Sequence, residues 1–168
     1  MLFVDEPVKL SPYDPHWPQE FAREAARLRA ALPDVALGIE HIGSTAVPGL
    51  PAKPIVDVMV GVTGSADHDT VARRLAPLGY EDCGGASGRR YLRKRACDAH
   101  HCNVQVMEFE GEPWKANLRF REHLRAHPQA ARRYAEVKRR AVDEAPTLLA
   151  YSKLKEGVTA ELLAQTSE

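Results

Sequence analysis

Between Glu40 and Val60 the chain reads EHIGSTAVPGLPAKPIVDVMV, and this segment constrains the fold more than any other. Two short apolar runs rich in β-branched residues, 35–42 and 55–62, flank it and read as strands. The second is apolar on both faces except at Asp57, the pattern of a strand in the interior of a sheet. Twelve residues separate Ser44 from Asp57, and among them are Gly49, Pro48, Pro51 and Pro54. Proline fixes φ and withholds a backbone donor, so 43–54 is a shaped loop with room for one helical turn. Gly43-Ser44-Thr45 at its start either makes a plain tight turn between strands or offers backbone N–H groups to an anion. Asp57 is either a structural carboxylate satisfied by backbone donors or a functional one, because a carboxylate in an apolar run is costly unless paired.

The rest of the chain predicts strands and helices that alternate early, with helices closing the sequence. Asp14-Pro15 supplies an N-cap acceptor followed by a proline at the first helical position. Phe21, Ala25, Leu28 and Leu32 then recur at helical spacing until Pro33. A second helix is expected at 67–78, with Val71, Leu75 and Leu78 on one face and Gly79 as its C-cap. Residues 80–83 and 89–95 read as strands joined by a flexible loop at 84–88. In 103–109, Asn103, Gln105 and Met107 alternate with Val104, Val106 and Glu108 as in a further strand. Helices are expected at 113–126, 128–144 and 147–165. The fold class is α+β: a mixed β-sheet flanked by helices, with a helical C-terminal half, in a single domain over residues 1–168.

Lys plus Arg equals Asp plus Glu at 23 each, so no global charge draws the chain to polyanions. No run is long and apolar enough to cross a membrane, and Asp5 and Glu6 follow the first residues too soon for a signal peptide. Cys83, Cys97 and Cys102 are odd in number and lack C-x-x-C spacing, which points to a reducing cytoplasm. Cys97, His100, His101 and Cys102 are conceivable zinc ligands, but no partner pair stands at metal-ligand spacing elsewhere.

Phosphoryl and nucleotidyl transfer depend on positioning and charge neutralisation. Carboxylates hold divalent ions against the phosphates, or one ion works with a cationic substitute. Alternate residues of a strand share a face, so Asp57 is accompanied by Met59 where a second carboxylate would serve. Lys53, four residues before Asp57, either reaches a phosphate as a point charge or is solvated surface. Arg89, Arg93 and Arg95 share one strand face, and Arg90 and Lys94 share the other. One of these faces would look into the cleft of Asp57, unless the charge only blunts an edge strand. The helical stretch 113–140 carries nine basic residues against Glu122 and Glu136, which reads as a solvated face more readily than a nucleic-acid surface, since stacking aromatics are few. His123 and His127 stand four apart, but Leu124 occupies the place of the glutamate a zinc-protease helix needs. Capping of the helix end by His127 is the plainer reading.

At this point the residues resemble a known family. The loop-and-strand segment is similar to the signature of the GrpB family, a group with the nucleotidyltransferase fold whose related domain is fused to some dephospho-CoA kinases. Tyr13-Asp14-Pro15-His16-Trp17, the 78–80 LGY, Arg90 with Arg93-Lys94, Trp114, FREHLRAHP at 120–128, Tyr134 with Lys138, and Tyr151 with Lys155 extend the resemblance over about residues 8–163. It implies a nucleotidyltransferase-like fold and a phosphate-containing ligand contacted by His41, Gly43, Ser44, Thr45, Arg90, Arg93, Lys94 and Arg121. Many relatives also carry an apolar residue at the place of Met59. The family usually reads His-Leu-His where this chain has Asn103-Val104-Gln105, and carboxamides do not titrate near pH 7 as imidazoles do.

The resulting expectation is a nucleotide-dependent transferase acting on a small molecule, by nucleotidyl or phosphoryl transfer or by carboxylate activation and ligation. A nucleoside triphosphate would sit at Gly43-Ser44 with Mg²⁺ on Asp57, and Lys53, Asn103 and Gln105 would complete the catalytic group. The alternative is a non-catalytic nucleotide- or phosphometabolite-binding module of the same fold, which the single carboxylate and the Asn103/Gln105 pair favour. Neither nucleic acid nor a membrane is expected as a partner.

Overall fold

The computed structural model describes residues 9–95, 101–144, 157–162 and 164. Helix α1 is Trp17–Ala31, followed by strands β1, Gly38–Ile42, and β2, Ile55–Val62. Helix α2, His68–Leu75, leads into β3, Glu81–Ala86, β4, Arg89–Arg95, and β5, His101–Glu108. Helices α3, Glu112–Ala126, and α4, Pro128–Glu144, follow, and residues 157–162 are helical. The expected helix at 147–165 otherwise falls outside the described residues.

The strands form one mixed sheet in the order β1-β2-β5-β4-β3. β2 and β5 run parallel, with Ile55 opposite His101 through to Val62 opposite Glu108, and the other pairs are antiparallel. This central parallel pair explains why β2 is apolar throughout: both of its faces are covered. Val56, Val58, Val60 and Val62 join Val104, Val106 and Leu92 under Trp17, Ala25 and Leu28 of α1 and Val71 and Leu75 of α2. On the other face Ile42, Met59 and Met107 pack against Trp114 of α3. Gly38 and Gly61 stand opposite each other in β1 and β2. A Cβ on either would come within 2.7 Å of the Phe109 ring, so the pair makes room for Phe109 and Trp114.

Element boundaries depart from the sequence pattern where local hydrogen bonds intervene. Asp14 does not cap α1; its carboxylate accepts from the backbone N–H of His16 at 2.9 Å, and the helix begins at Trp17 with proline in its first turn. β1 starts at Gly38 and not at residue 35, because the N–H groups of Val35 and Ala36 donate back to the Leu32 carbonyl. The 84–88 segment is not a flexible loop. β3 continues through Ala86, and Ser87 and Gly88 form a two-residue hairpin with φ of 53° and 74°, matching the twist of the strands they join. Among the described residues no helix is long and apolar enough to cross a membrane.

Candidate functional site

β1 ends at Ile42 and the chain reverses through Gly43, whose φ of 73° lies in the left-handed region. A Cβ there would lie 2.7 Å from Oδ2 of Asp57. Glycine is therefore required by the backbone and by the carboxylate that packs against it. Ser44–Ala46 forms a single 3₁₀ turn, so the first N–H groups of a helix start are placed beside Asp57.

Asp57 and Asn103 are cross-strand partners in the parallel pair, and Nδ2 of Asn103 donates to Oδ1 of Asp57 at 3.2 Å. Met59 pairs with Gln105 one step along, but it is fully buried under α3, and only Gln105 of that pair lines the cleft. The cleft, about 260 Å³, lies between this sheet face and the helices. Gly43, Ser44, Thr45, Lys53, Asp57, Asn103 and Gln105 all line it, so seven of the residues singled out from sequence converge there. Phe120 of α3, Tyr134 and Lys138 of α4 and Thr159 form the opposite wall.

Lys138 lines the cleft, although sequence reasoning left it outside the candidate site. Its side chain is 1% exposed, and Nζ donates to Ser44 Oγ at 2.7 Å and to the Pro51 carbonyl, lying 5.4 Å from the centre of the Tyr134 ring. An ammonium so deep inside is held by oxygen acceptors and an aromatic face, since burial without partners is costly. The signal was present: Tyr134, Lys138 and Ala141 share the buried stripe of α4, and a lysine in such a stripe asks for an anion or a ring of acceptors.

His41 and Arg121 act from behind the turn and do not line the cleft. His41 is buried on the α1 side, stacks on Phe21 at 4.8 Å and hydrogen-bonds Thr45 Oγ1 at 2.9 Å. Burial, aided by the charges of Arg125 and Arg121, lowers its pKa to about 4, so it is neutral at pH 7. Arg121 Nη1 donates to Glu40 Oε2 at 2.7 Å and to the His41 carbonyl at 2.8 Å, while Arg125 donates twice to the Ala46 carbonyl. Arg121 thus ties α3 to β1, and Arg125 ties it to the loop.

Arg90 and Lys94, expected at the ligand, lie on the opposite face of the sheet. Arg90 pairs with Asp82 and with Asp69 of α2. Lys94 Nζ donates to Glu24 Oε1 of α1 at 3.0 Å, where Tyr80 also donates at 2.8 Å. Burial raises the Glu24 carboxyl, but hydrogen bonds from Tyr80 and Lys94 outweigh it and hold the group below its ordinary range. Arg93 does share the face of Asp57, one strand beyond Asn103, and bonds Glu81 at 3.1 Å.

The remaining candidates that lie among the described residues make local contacts. His127 hydrogen-bonds the His123 carbonyl at 2.9 Å, closing the end of α3 as expected. Cys97 and His100 lie outside the described residues. Cys102 is buried against Tyr80, with burial pushing its thiol up to about 12. Among the described residues no three His, Cys, Asp or Glu side chains gather around one point. Of the basic residues of α3 and α4, Arg119 pairs with Glu112 and Arg133 with Glu161.

Residues 7–165 match the model of the GrpB protein family. The chain belongs to the GrpB family. A UPF0157 protein of Pseudomonas aeruginosa is 37% identical over 96% of this chain and 68% of its own length. A UPF0157 protein of Halalkalibacterium halodurans is 36% identical, covering 95% and 83%. A dephospho-CoA kinase of Mycobacterium bovis matches at 32% identity over 79% of this chain but only 39% of its own length. The crystal structure of GrpB from Enterococcus faecalis superposes with a TM-score of 0.80 at 34% identity, covering 95% of this chain and all of that one. Terminal uridylyl transferase 4 from Trypanosoma brucei with bound CTP aligns over 98% of this chain and 53% of its own, with a TM-score of 0.54 at 15% identity. The GrpB chain thus has a nucleotidyltransferase-like fold.

The donor set of this GrpB cleft is compatible with Mg²⁺. That ion keeps several waters and takes one or two carboxylates together with substrate phosphates. Asp57 supplies one carboxylate, and Asn103 and Gln105 add hard carboxamide oxygens on the same face.

Proposed function

We propose that this GrpB protein is a nucleotide-dependent transferase that binds a nucleoside triphosphate in the cleft and transfers a nucleotidyl or phosphoryl group to a small molecule. The observation that carries the reading is the convergence of Asp57, the Gly43-Ser44 turn and the buried Lys138 ammonium on one cleft. The turn offers N–H groups to phosphate oxygens. Lys138, fixed through Ser44 and Pro51, and Lys53 supply positive charge where a second metal-binding carboxylate is replaced by Met59. Mg²⁺ held by Asp57 would neutralise phosphate charge as the leaving group departs. Phe120 and Tyr134 close the apolar side of the cleft and exclude water.

The test is binding and turnover together. Mg²⁺ and adenylyl imidodiphosphate are titrated into wild type and Asp57→Asn by calorimetry, and triphosphate consumption is followed with a panel of acceptors. The expected result is binding that needs Mg²⁺ and weakens about tenfold or more in the variant, with acceptor-dependent turnover lost. No heat with any nucleoside triphosphate overturns the reading. A second reading, a non-catalytic binding module, is favoured by Asn103: its amide already engages Asp57, and it takes up no proton near pH 7. Tight binding that ignores both Mg²⁺ and Asp57→Asn decides for it.

A further inference from the structure

The sheet face that carries Asp57 does not stop at the cleft. Register pairs Asp57 with Asn103 and Asn103 with Arg93; one step along, Met59 pairs with Gln105 and Gln105 with Tyr91. Partners in register share a face, and so do alternate residues of a strand. β4 therefore presents Arg89, Tyr91, Arg93 and Arg95 on the side of Asp57, and the bond from Arg93 to Glu81 runs along that face. Neighbouring strands lie about 4.8 Å apart, so the backbone of Arg93 is roughly 10 Å from that of Asp57. A molecule lying on Asn103 and Gln105 would meet Asp57 at one end and guanidinium groups at the other. α3 packs on β1 and β5, while the principal neighbours of β4 are the strands beside it. Arg89, Tyr91 and Arg93 are half-buried.

The same face constrains the chemistry of whatever lies there. A hydroxyl acceptor must lose a proton as it attacks phosphorus, and a positioned base normally takes it. Among the described residues of this face, the polar side chains beside Asp57 are Asn103 and Gln105, and a carboxamide is no proton acceptor at neutral pH, while Asp57 itself is committed to Mg²⁺ in the transferase reading. Glu81 is tied to Arg93 on the strand beyond, and His101 stands at the exposed start of β5, two residues or about 7 Å from Asn103. An acceptor that is already an anion needs no base.

We propose that the Arg89-Tyr91-Arg93 strip is the acceptor subsite and that the acceptor is an oxyanion, a carboxylate or a phosphate monoester, on a molecule with a planar apolar part. The inference rests on the transferase reading. One acceptor oxygen forms the new bond to the α-phosphorus with its own electron pair. The bond from that phosphorus to the α–β bridging oxygen breaks, pyrophosphate leaves with that pair, and no proton moves. Guanidinium groups match the acceptor's remaining oxygens by paired N–H donors, and the Tyr91 ring packs against its planar part.

Phenyl phosphate, benzoate and benzyl alcohol are titrated into the full chain by ligand-observed NMR, with and without Mg²⁺ and adenylyl imidodiphosphate. The two anions are expected to bind and the alcohol not, and a preference between the anions names the source of the oxyanion. Arg89→Gln, Arg93→Gln and Tyr91→Ala each weaken the anions about fivefold or more, and Tyr91→Phe restores binding. In all four variants, the affinity for adenylyl imidodiphosphate stays within about twofold and the melting curve within a few degrees. With ATP, pyrophosphate release is stimulated by the anions and not by the alcohol. Equal binding of the alcohol, anion binding indifferent to these substitutions, or hydroxyl-stimulated release abolished by His101→Gln overturns the proposal. If the triphosphate analogue fails to bind while phenyl phosphate still responds to Arg93 and Tyr91, the transferase reading falls and the strip stands as an oxyanion site.

Discussion

Gly43 shows how one missing Cβ can serve two purposes. Its φ of 73° costs an L-residue about 1–2 kcal/mol, and the contact at 2.7 Å with Asp57 Oδ2 must be relieved by moving the carboxylate. Gly43→Ala is expected to lower unfolding stability in urea by about 2–4 kcal/mol and to weaken the Mg²⁺-dependent binding of adenylyl imidodiphosphate, because Asp57 is displaced. His41 carries a different signature. Its pKa falls from 6.5 to about 4 on folding, so below pH 6.5 the unfolded chain binds a proton that the folded one refuses. Its stabilisation is complete above pH 6.5 and is lost as pH falls through this window, amounting to roughly 3 kcal/mol at pH 4 and below. Urea midpoints of His41→Gln measured from pH 7.5 to 4 should show a flatter acid limb than wild type. An unchanged slope would place the acid sensitivity elsewhere.

Helix α3 is fastened to the end of β1 through Arg121 on the His41 carbonyl and, one turn on, to the loop through Arg125 on the Ala46 carbonyl. Arg125 is partly exposed, so Arg125→Ala should cost about 1–2 kcal/mol. Its sharper effect is on function: the 3₁₀ turn loses its strap, and nucleotide affinity should drop several-fold while the circular-dichroism spectrum stays native. The elements themselves were readable from sequence. β2, β4 and α4 begin and end where apolar periodicity, Gly88 and Pro128 put them, because those signals are local. The alternation of β4 correctly separated Arg89, Arg93 and Arg95 from Arg90 and Lys94. It could not say which set meets Asp57, since that is decided by Glu24 of α1 and Asp69 of α2, carboxylates that reach Lys94 and Arg90 only once helices cover that face. The stripe of α4 marked Lys138 as buried, but not its partner, because Ser44 lies 94 residues away.

At the scale of the molecule, a sheet with a parallel centre separates two packed layers. Basic and acidic residues balance at 23 each, and many are spent on ion pairs between elements, so the proposed phosphate recognition would rest on the few cations fixed in or beside the cleft. The partition also divides the chain's two tryptophans. Trp17 of α1 is sealed at 2% exposure against one sheet face, and Trp114 of α3 at 4% against the other, edge-on to Phe109. α3 also lends Asn117 and Phe120 to the cleft wall. In Trp17→Phe protein the remaining emission should change when Mg²⁺ and adenylyl imidodiphosphate are added, and in Trp114→Phe protein it should not. The sheet is thereby an optical divider, giving the half that carries the cleft and the half across the sheet from it separate fluorescent reporters without any added label.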